Sequence, residues 1–431
     1  MRSIRVVFLA LSLLAAACTA SEPVTTSSSS PPGPITTSTT TTTTVPIDPL
    51  QLEIDELTAV TEQLRDLKFI TPPKLVLVTD EELADRVRLL IEEDLDPGEI
   101  RRDELLLATL GLIESGTDLA GLYTDLYSEQ VSGFYDSETG EMVVPIGGEE
   151  LSQLQKLTLV HELTHALTDQ YFGFGDERVR LDEQQRYERL AALTAVAEGD
   201  ATLVETLYLG SLSIEDQLAV LSGSLEIETE VFGRTPRFLQ ELLLFPYSTG
   251  ADFVTTIWEL GGFESVNDLY EDPPTTTEHI FHPADFVAGE SPIDVVAGDF
   301  VPEGYDVVEA STWGQAAFRA MFGQALDDAV ATAAAVGWGG DTYRLMWDGG
   351  SEIVFDLVYA ADSSVDLTEM YDTLVAFVEV QVNGEVEQID EGLLEVSGED
   401  FALVRTEEES IRLIVATDPE VGRLVVEWVE P

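Results

Sequence analysis

Val160-His161-Glu162-Leu163-Thr164-His165-Ala166-Leu167-Thr168-Asp169 decides the reading of this chain. On an α-helix, residues i and i+4 share a face, so His161 and His165 can aim ring nitrogens at one metal ion. Glu162 directly follows the first of them, where its carboxylate can reach a water held by that ion. Zinc lowers the pKa of such a water to about 7, and a carboxylate can take its proton during attack on a carbonyl. The flanks fit a buried helix: Leu157, Val160, Leu163, Ala166 and Leu167 form an apolar stripe at helical spacing. An ordinary amphipathic helix can carry the same stripe. However, the chain has only four histidines (His161, His165, His279 and His282), and two of them stand in this motif.

A catalytic zinc usually has three protein ligands and one open position. No third histidine lies close in sequence, so an acid is expected. Downstream, a long helical pattern over Asp182 to Leu209 contains Ala195-Val196-Ala197-Glu198-Gly199-Asp200-Ala201. Glu198 is an isolated acid in an alanine-rich stretch, which would sit badly in a core without a cation. It is the first candidate for the third ligand, and Asp200 is its rival. Asp169, one turn beyond His165, is a candidate for orienting a ligand imidazole.

Two other features flank the motif. Lys74 to Val78 reads as a short strand, and Asp80 is placed to cap the helix after it. Val131 to Asp136 and Glu141 to Val144 enclose Ser137-Glu138-Thr139-Gly140 and read as a β-hairpin. An edge strand beside a metal site can hold an extended peptide by main-chain hydrogen bonds.

His161 to Asp169 resembles the zinc helix of thermolysin-type gluzincins. Those enzymes take two histidines from this motif and a glutamate from the following helix. The order strand, helix, hairpin, zinc helix, glutamate helix is similar to the minimal gluzincin core. In thermolysin an aspartate follows the glutamate by four residues, and here Thr202 stands at that place. The chain more closely resembles a group of uncharacterised bacterial exported zinc-peptidase-like proteins. It shares with them the H-E-x-x-H-A-L-x-D-Q and E-G-D-A stretches, Pro273 to Pro283, and Gly337-Trp338-Gly339-Gly340-Asp341. The resemblance covers about Gln51 to Trp347. It implies a predominantly helical α+β fold with a gluzincin-like core, zinc at His161, His165 and Glu198, and Glu162 as general base. It also matches His282, a candidate donor to the oxyanion formed when water attacks the carbonyl. Tyr305 and Tyr343 are alternatives for that role. Gly337 to Asp341 is expected to be a tight turn ending a helix over Ala325 to Val336.

The N-terminus reads as a targeting segment. Arg2 and Arg5 precede an apolar run, Val6 to Ala17, too short to span a bilayer comfortably. It ends Leu14-Ala15-Ala16-Ala17-Cys18, and Cys18 is the only cysteine. This end resembles a bacterial lipobox, which implies residues 1–18 as leader, lipid on Cys18, and export with attachment to the outer face of the membrane. Residues 19–47 are rich in Ser, Thr and Pro and have nothing to bury, so they read as an extended stalk. Residues 48–349 read as the helical metallopeptidase-like domain. Residues 350–431 change texture and read as a small α+β region with no histidine.

The chain has 82 acidic and 21 basic residues, a formal charge of −61. The acids alternate with apolar residues, which suits a folded domain with an acidic surface. Nucleic acid is excluded as an expected partner, because phosphate binding needs basic patches. The expected partner is a peptide or protein substrate. Three readings stand at this point: a zinc peptidase, a non-catalytic surface protein keeping the same fold, and a zinc hydrolase of non-peptide amides or esters.

Overall fold

The computed structural model of the chain describes residues 8–11, 49–146, 150–225, 229–382, 385–390, 392–398 and 400–427. Cys18 and the stretch 19–47, with the lipobox and stalk readings that rest on them, lie outside the described residues. No helix among the described residues is long and apolar enough to cross a membrane.

The fold is mixed α+β, predominantly helical, with two sheets. The first part contains β1 (Phe8–Leu11), α1 (Pro49–Arg65), β2 (Lys74–Val78), α2 (Asp80–Asp94), α3 (Pro97–Thr109), α4 (Leu119–Gln130), β3 (Val131–Asp136) and β4 (Glu141–Pro145). The residue that caps α2 is Thr79, not Asp80. Its hydroxyl accepts from the Glu82 backbone N–H while the Glu82 carboxylate accepts from the Thr79 N–H. The β3–β4 hairpin forms as its sequence predicts. Asp136 accepts from Glu138 N at 2.9 Å and from the Thr139 hydroxyl at 2.6 Å, and Gly140 closes the turn at φ 68°. β2 lies parallel to β4, and the sheet order is β1-β3-β4-β2.

The helical core follows: α5 (Gln153–Phe172), α6 (Phe174–Glu183), α7 (Tyr187–Ser211), α8 (Ile214–Ser224), α9 (Glu230–Arg234), α10 (Arg237–Glu271), α11 (Thr277–Phe281) and α12 (Pro283–Ala288). A capping box of Ser152 and Gln155 starts α5, and Gly173 ends it in the left-handed conformation, φ 61°. Every residue of α5 from Leu157 to Thr168 is buried. α7 is apolar around most of its circumference and buried among its neighbours. Its crossing with α10 is unusually close. A Cβ on Gly199 would stand 2.3 Å from the Gly250 carbonyl oxygen, and one on Gly250 would stand 2.4 Å from that of Ala195. The glycine beside Glu198 is therefore what lets the two helices touch backbone to backbone. The sequence suggests a helix over about 250–260; α10 is longer, bending at Gly261 and Gly262.

The remainder is β5 (Asp306–Ser311), α13 (Gly314–Ala325), α14 (Asp328–Val336), β6 (Trp338–Trp347), β7 (Ile353–Ala361), α15 (Ser364–Val382), β8 (Glu385–Asp390), β9 (Leu393–Ser397), β10 (Phe401–Thr406), β11 (Ile411–Ala416) and α16 (Pro419–Glu427). The strands form one antiparallel sheet in the order β5-β6-β7-β11-β10-β9-β8. A divide at Gly350 would cut this sheet between β6 and β7, which pair along their whole length. The strands after residue 350 continue a sheet that β5 and β6 already begin. The expected turn at Gly337 to Asp341 is also different. Gly337 ends α14, but Trp338 to Asp341 already belong to β6. Buried Asp341 accepts from the backbone N–H groups of Trp313 (2.7 Å) and Gly314 (2.9 Å) and from Trp338 Nε1 (2.7 Å). It thus ties the start of α13 to the sheet.

Candidate metal centre

Helical spacing on α5 puts His161 and His165 on one face, and α7 crosses that face with Glu198 opposite them. The three donor atoms form a nearly equilateral triangle: His161 Nε2 to His165 Nε2 is 3.1 Å, and each lies 3.2 Å from Glu198 Oε2. Tetrahedral ligands at about 2.0–2.1 Å from zinc stand about 3.3 Å from one another, so the triangle has the size of one face of such a site. All three side chains are buried. Among the described residues this is the one place where three His, Cys, Asp or Glu side chains gather their ligand atoms so closely.

The electrostatics call for a cation. Burial pushes the Glu198 carboxyl up, but the charge of His165 and hydrogen bonds from both histidines outweigh it and hold its pKa at about 2. Burial pulls His161 down, yet hydrogen bonds to Glu198 and Glu205 win and raise it to about 10. Burial holds His165 below its ordinary value. The buried carboxylates around these rings require a compensating positive charge. A dication coordinated by two neutral imidazoles and Glu198 answers the same demand, so the donor set fits zinc.

Glu162 is wholly buried, and neither of its oxygens accepts a hydrogen bond of good geometry. Burial first, then the charge of Glu198, raises its pKa to about 8, while the charge of His161 and the approaching Tyr135 backbone N–H oppose the rise. Tyr135 is on β3, so the hairpin lies directly against this carboxylate. A buried carboxylate with no side-chain hydrogen-bond partner, beside a metal-ligand triangle, is placed to exchange a proton with a reactant.

Three residues that the sequence did not single out complete the centre. Glu205 Oε2 stands 3.1 Å from His161 Nδ1, fixing that ring from behind. Glu205 follows Glu198 by two helical turns on the same face of α7, a spacing that could have drawn attention to it. Tyr247 of α10 stacks on His161, with ring centroids 6.3 Å apart at 24°, and its hydroxyl hydrogen-bonds Glu198. Buried Arg178 of α6 interacts electrostatically with Glu198, Tyr247, Tyr127 and Asp182.

Other expected residues fall elsewhere. Asp169 does not orient an imidazole: it accepts from the Tyr135 hydroxyl at 2.9 Å and from Gly175 N at 2.9 Å. Asp200 is no ligand, because it is neutralised by buried Arg65 at 2.8 Å and accepts from the Tyr270 hydroxyl at 3.0 Å. His282 sits between α11 and α12, with its Nε2 3.1 Å from Gln315 Nε2, and no described contact joins it to the triangle. Tyr305 donates to Glu352 and Tyr343 to Glu309.

No protein-family model matches the sequence, and comparison with curated proteins gives no match. Among solved structures, one described as "a putative hydrolase with a novel fold from Chloroflexus aurantiacus" aligns with 57% of this chain and 92% of its own. Identity is 16% and the TM-score 0.37, too low to carry a fold or an activity across.

Proposed function

We propose that this chain is a zinc metallopeptidase with a gluzincin-like core, exported and held at the outer membrane face through lipid on Cys18. The observation that carries the catalytic part is the pairing of a zinc-sized triangle, His161, His165 and Glu198, with the buried carboxylate of Glu162, which has no side-chain hydrogen-bond partner. A purely structural zinc site has no use for such a carboxylate, which weighs against the non-catalytic reading. Zinc bound there would act as a Lewis acid on the substrate carbonyl and lower the pKa of a water.

The chain's own residues do the rest. Glu162 takes the proton of the attacking water and passes it to the leaving amine. Glu205 holds His161 in the tautomer whose Nε2 faces the site. Tyr247, at Glu198 and beside His161, is placed to donate to the oxyanion, the role expected of His282. Burial of α5 keeps bulk water from these charges and strengthens each interaction. The peptide reading draws on β3. Its outer edge already pairs antiparallel with the extended apolar segment Phe8–Leu11, and its inner side touches Glu162. A peptide strand on that edge would pass the metal-ligand triangle. Export and lipid attachment rest on the sequence of residues 1–18.

The test is hydrolysis of a broad peptide library by the zinc-loaded protein, read by mass spectrometry, alongside Glu162→Gln. Cleavage by the wild type that disappears in the variant, with zinc retained in both, is the expected result. Cleavage surviving in Glu162→Gln would remove the assigned role.

A further inference from the structure

The connection between α6 and α7 forms one wall of a polar cavity of about 470 Å³. Its other walls come from Thr275 and Thr276, the segment 292–295, the end of β5 and the start of β6. The cavity thus draws on both sequence stretches that the metal centre leaves aside, Pro273 to Pro283 and Gly337 to Asp341. Gly340 is what lets one wall close: a Cβ there would stand 2.3 Å from the Ile293 carbonyl oxygen, and the Ile293 N–H donates to the Gly339 carbonyl at 2.7 Å. Arg186 and Arg189 line this cavity, and both are exposed.

In a chain of 82 acidic and 21 basic residues, an arginine finds a carboxylate easily. Arg65, Arg88, Arg237, Arg344, Arg412 and Arg423 each pair with one. Arg186 and Arg189 are different: neither side chain makes an ion pair or hydrogen bond among the described residues. They are three residues apart, hence neighbours on the helix surface, where like charges repel. They also stand at the N-terminal end of the 25-residue α7, where the backbone dipole already disfavours a cation. Glu188, between them, gives no relief. Its carboxylate accepts from the Thr277 N–H (2.5 Å) and hydroxyl (2.7 Å), and burial raises its pKa to about 8. Asp341 is held by Trp313, Gly314 and Trp338, and exposed Asp294 pairs with neither arginine. Two cations set side by side against the helix dipole, with no counter-charge from the chain, match an anion brought from outside.

The rest of the lining says what kind of anion. The Gln184 amide and the hydroxyls of Thr275, Thr312 and Thr342 also make no side-chain hydrogen bond among the described residues. Each hydroxyl can both donate and accept, which suits the hydroxyls of a sugar. A guanidinium presents a planar fork that fits phosphate or carboxylate oxygens in pairs. The volume is that of a pocket for a small organic molecule, and an inorganic ion alone would leave most of it to water. We propose that this cavity binds a sugar carrying an anionic group, phosphate or carboxylate. Arg186 and Arg189 hold the anionic group, and the threonine and glutamine side chains hold the sugar hydroxyls. This is a binding site independent of the metal centre, and it stands whether or not the chain hydrolyses peptides.

Isothermal titration calorimetry on the zinc-loaded full chain tests this. The probes are the 6-phosphates of glucose, mannose and galactose, then glucuronate and galacturonate, then the three free sugars and inorganic phosphate. At least one anionic sugar should bind at least about 10-fold more tightly than its free sugar and than phosphate. Whether it is a sugar phosphate or a uronate tells which anionic group the arginines hold. Arg186→Gln and Arg189→Gln should each weaken that binding at least about 10-fold. Arg86→Gln, at an exposed arginine of α2, should leave it unchanged. These side chains are all exposed, and an unchanged thermal melt marks each variant as folded. No binding of any anionic sugar overturns the proposal. So does binding that survives both substitutions, as an anion captured by zinc would. Phosphate bound as tightly as every anionic sugar overturns the sugar assignment.

Discussion

His161 Nδ1 stands 3.1 Å from Glu205 Oε2 while the opposite nitrogen of the same ring faces His165 and Glu198. The carboxylate selects the tautomer that presents Nε2 to a metal and raises the basicity of that nitrogen. Glu205→Ala should therefore lower zinc affinity by about 10- to 100-fold. Competition with a chromogenic chelator measures this. An unchanged affinity would mean that the His161 ring is fixed by packing alone.

Tyr247 is the second contact that the centre depends on. Tyr247→Phe keeps the ring on His161 and removes only the hydroxyl. If that hydroxyl stabilises developing charge on the substrate, kcat should fall by about 10²-fold with little change in KM, and zinc should remain bound. Steady-state kinetics with a fluorogenic peptide separate the two parameters. A loss confined to zinc affinity would reassign Tyr247 as a partner of Glu198 only.

Asp200, two residues after Glu198, does a structural job. It neutralises Arg65, and both side chains are fully buried. Arg65 also donates to Asn267 at 2.7 Å, so the pair ties α1, α7 and α10 together. Asp200→Ala leaves a buried guanidinium without its counter-charge and should cost about 3–5 kcal/mol. Urea denaturation followed by circular dichroism gives the change in midpoint. A variant of unaltered stability would show that the ion pair is dispensable.

Buried Glu188 supplies a pH test away from the metal centre. Burial raises its carboxyl from 4.5 to about 8, with the charge of Asp341 adding to the rise and the Thr277 hydrogen bonds opposing it. A pKa raised by folding means that protonation favours the folded state. That stabilisation is complete below pH 4.5 and is lost as the pH rises through about 8. Glu188→Gln keeps an acceptor for Thr277 and cannot ionise. Its stability relative to the wild type should climb by up to a few kcal/mol between pH 5 and pH 8. A difference that stays flat over that range would mean that Glu188 is ionised throughout.

The parts of this centre that could be read in sequence were those carried by local spacing. His161 and His165 follow from helical periodicity, and Glu198 from an acid isolated among alanines. The hairpin follows from its turn residues, and its bounds agree with the strands. Tyr247, Arg178 and Glu205 reach the site through the packing of other helices on α5. Nothing local marks Tyr247 as a neighbour of Glu198. That contact exists because Gly199 and Gly250 allow α7 and α10 to meet at backbone distance. Asp169 and Asp200, the secondary candidates by sequence, are held by partners distant in sequence, Tyr135 and Arg65, which no local spacing reveals. The α+β texture of residues 350–431 is legible in sequence, but that β5 and β6 join the same sheet is not, because that pairing is long-range.

The central claim is that His161, His165 and Glu198 hold one zinc. Elemental analysis of the purified protein after zinc loading and dialysis tests it most directly, with His165→Ala and Glu198→Ala in parallel. One zinc per chain in the wild type, and much less than one in each folded variant, is the predicted result. A wild type without zinc, or variants that retain a full equivalent, would contradict it.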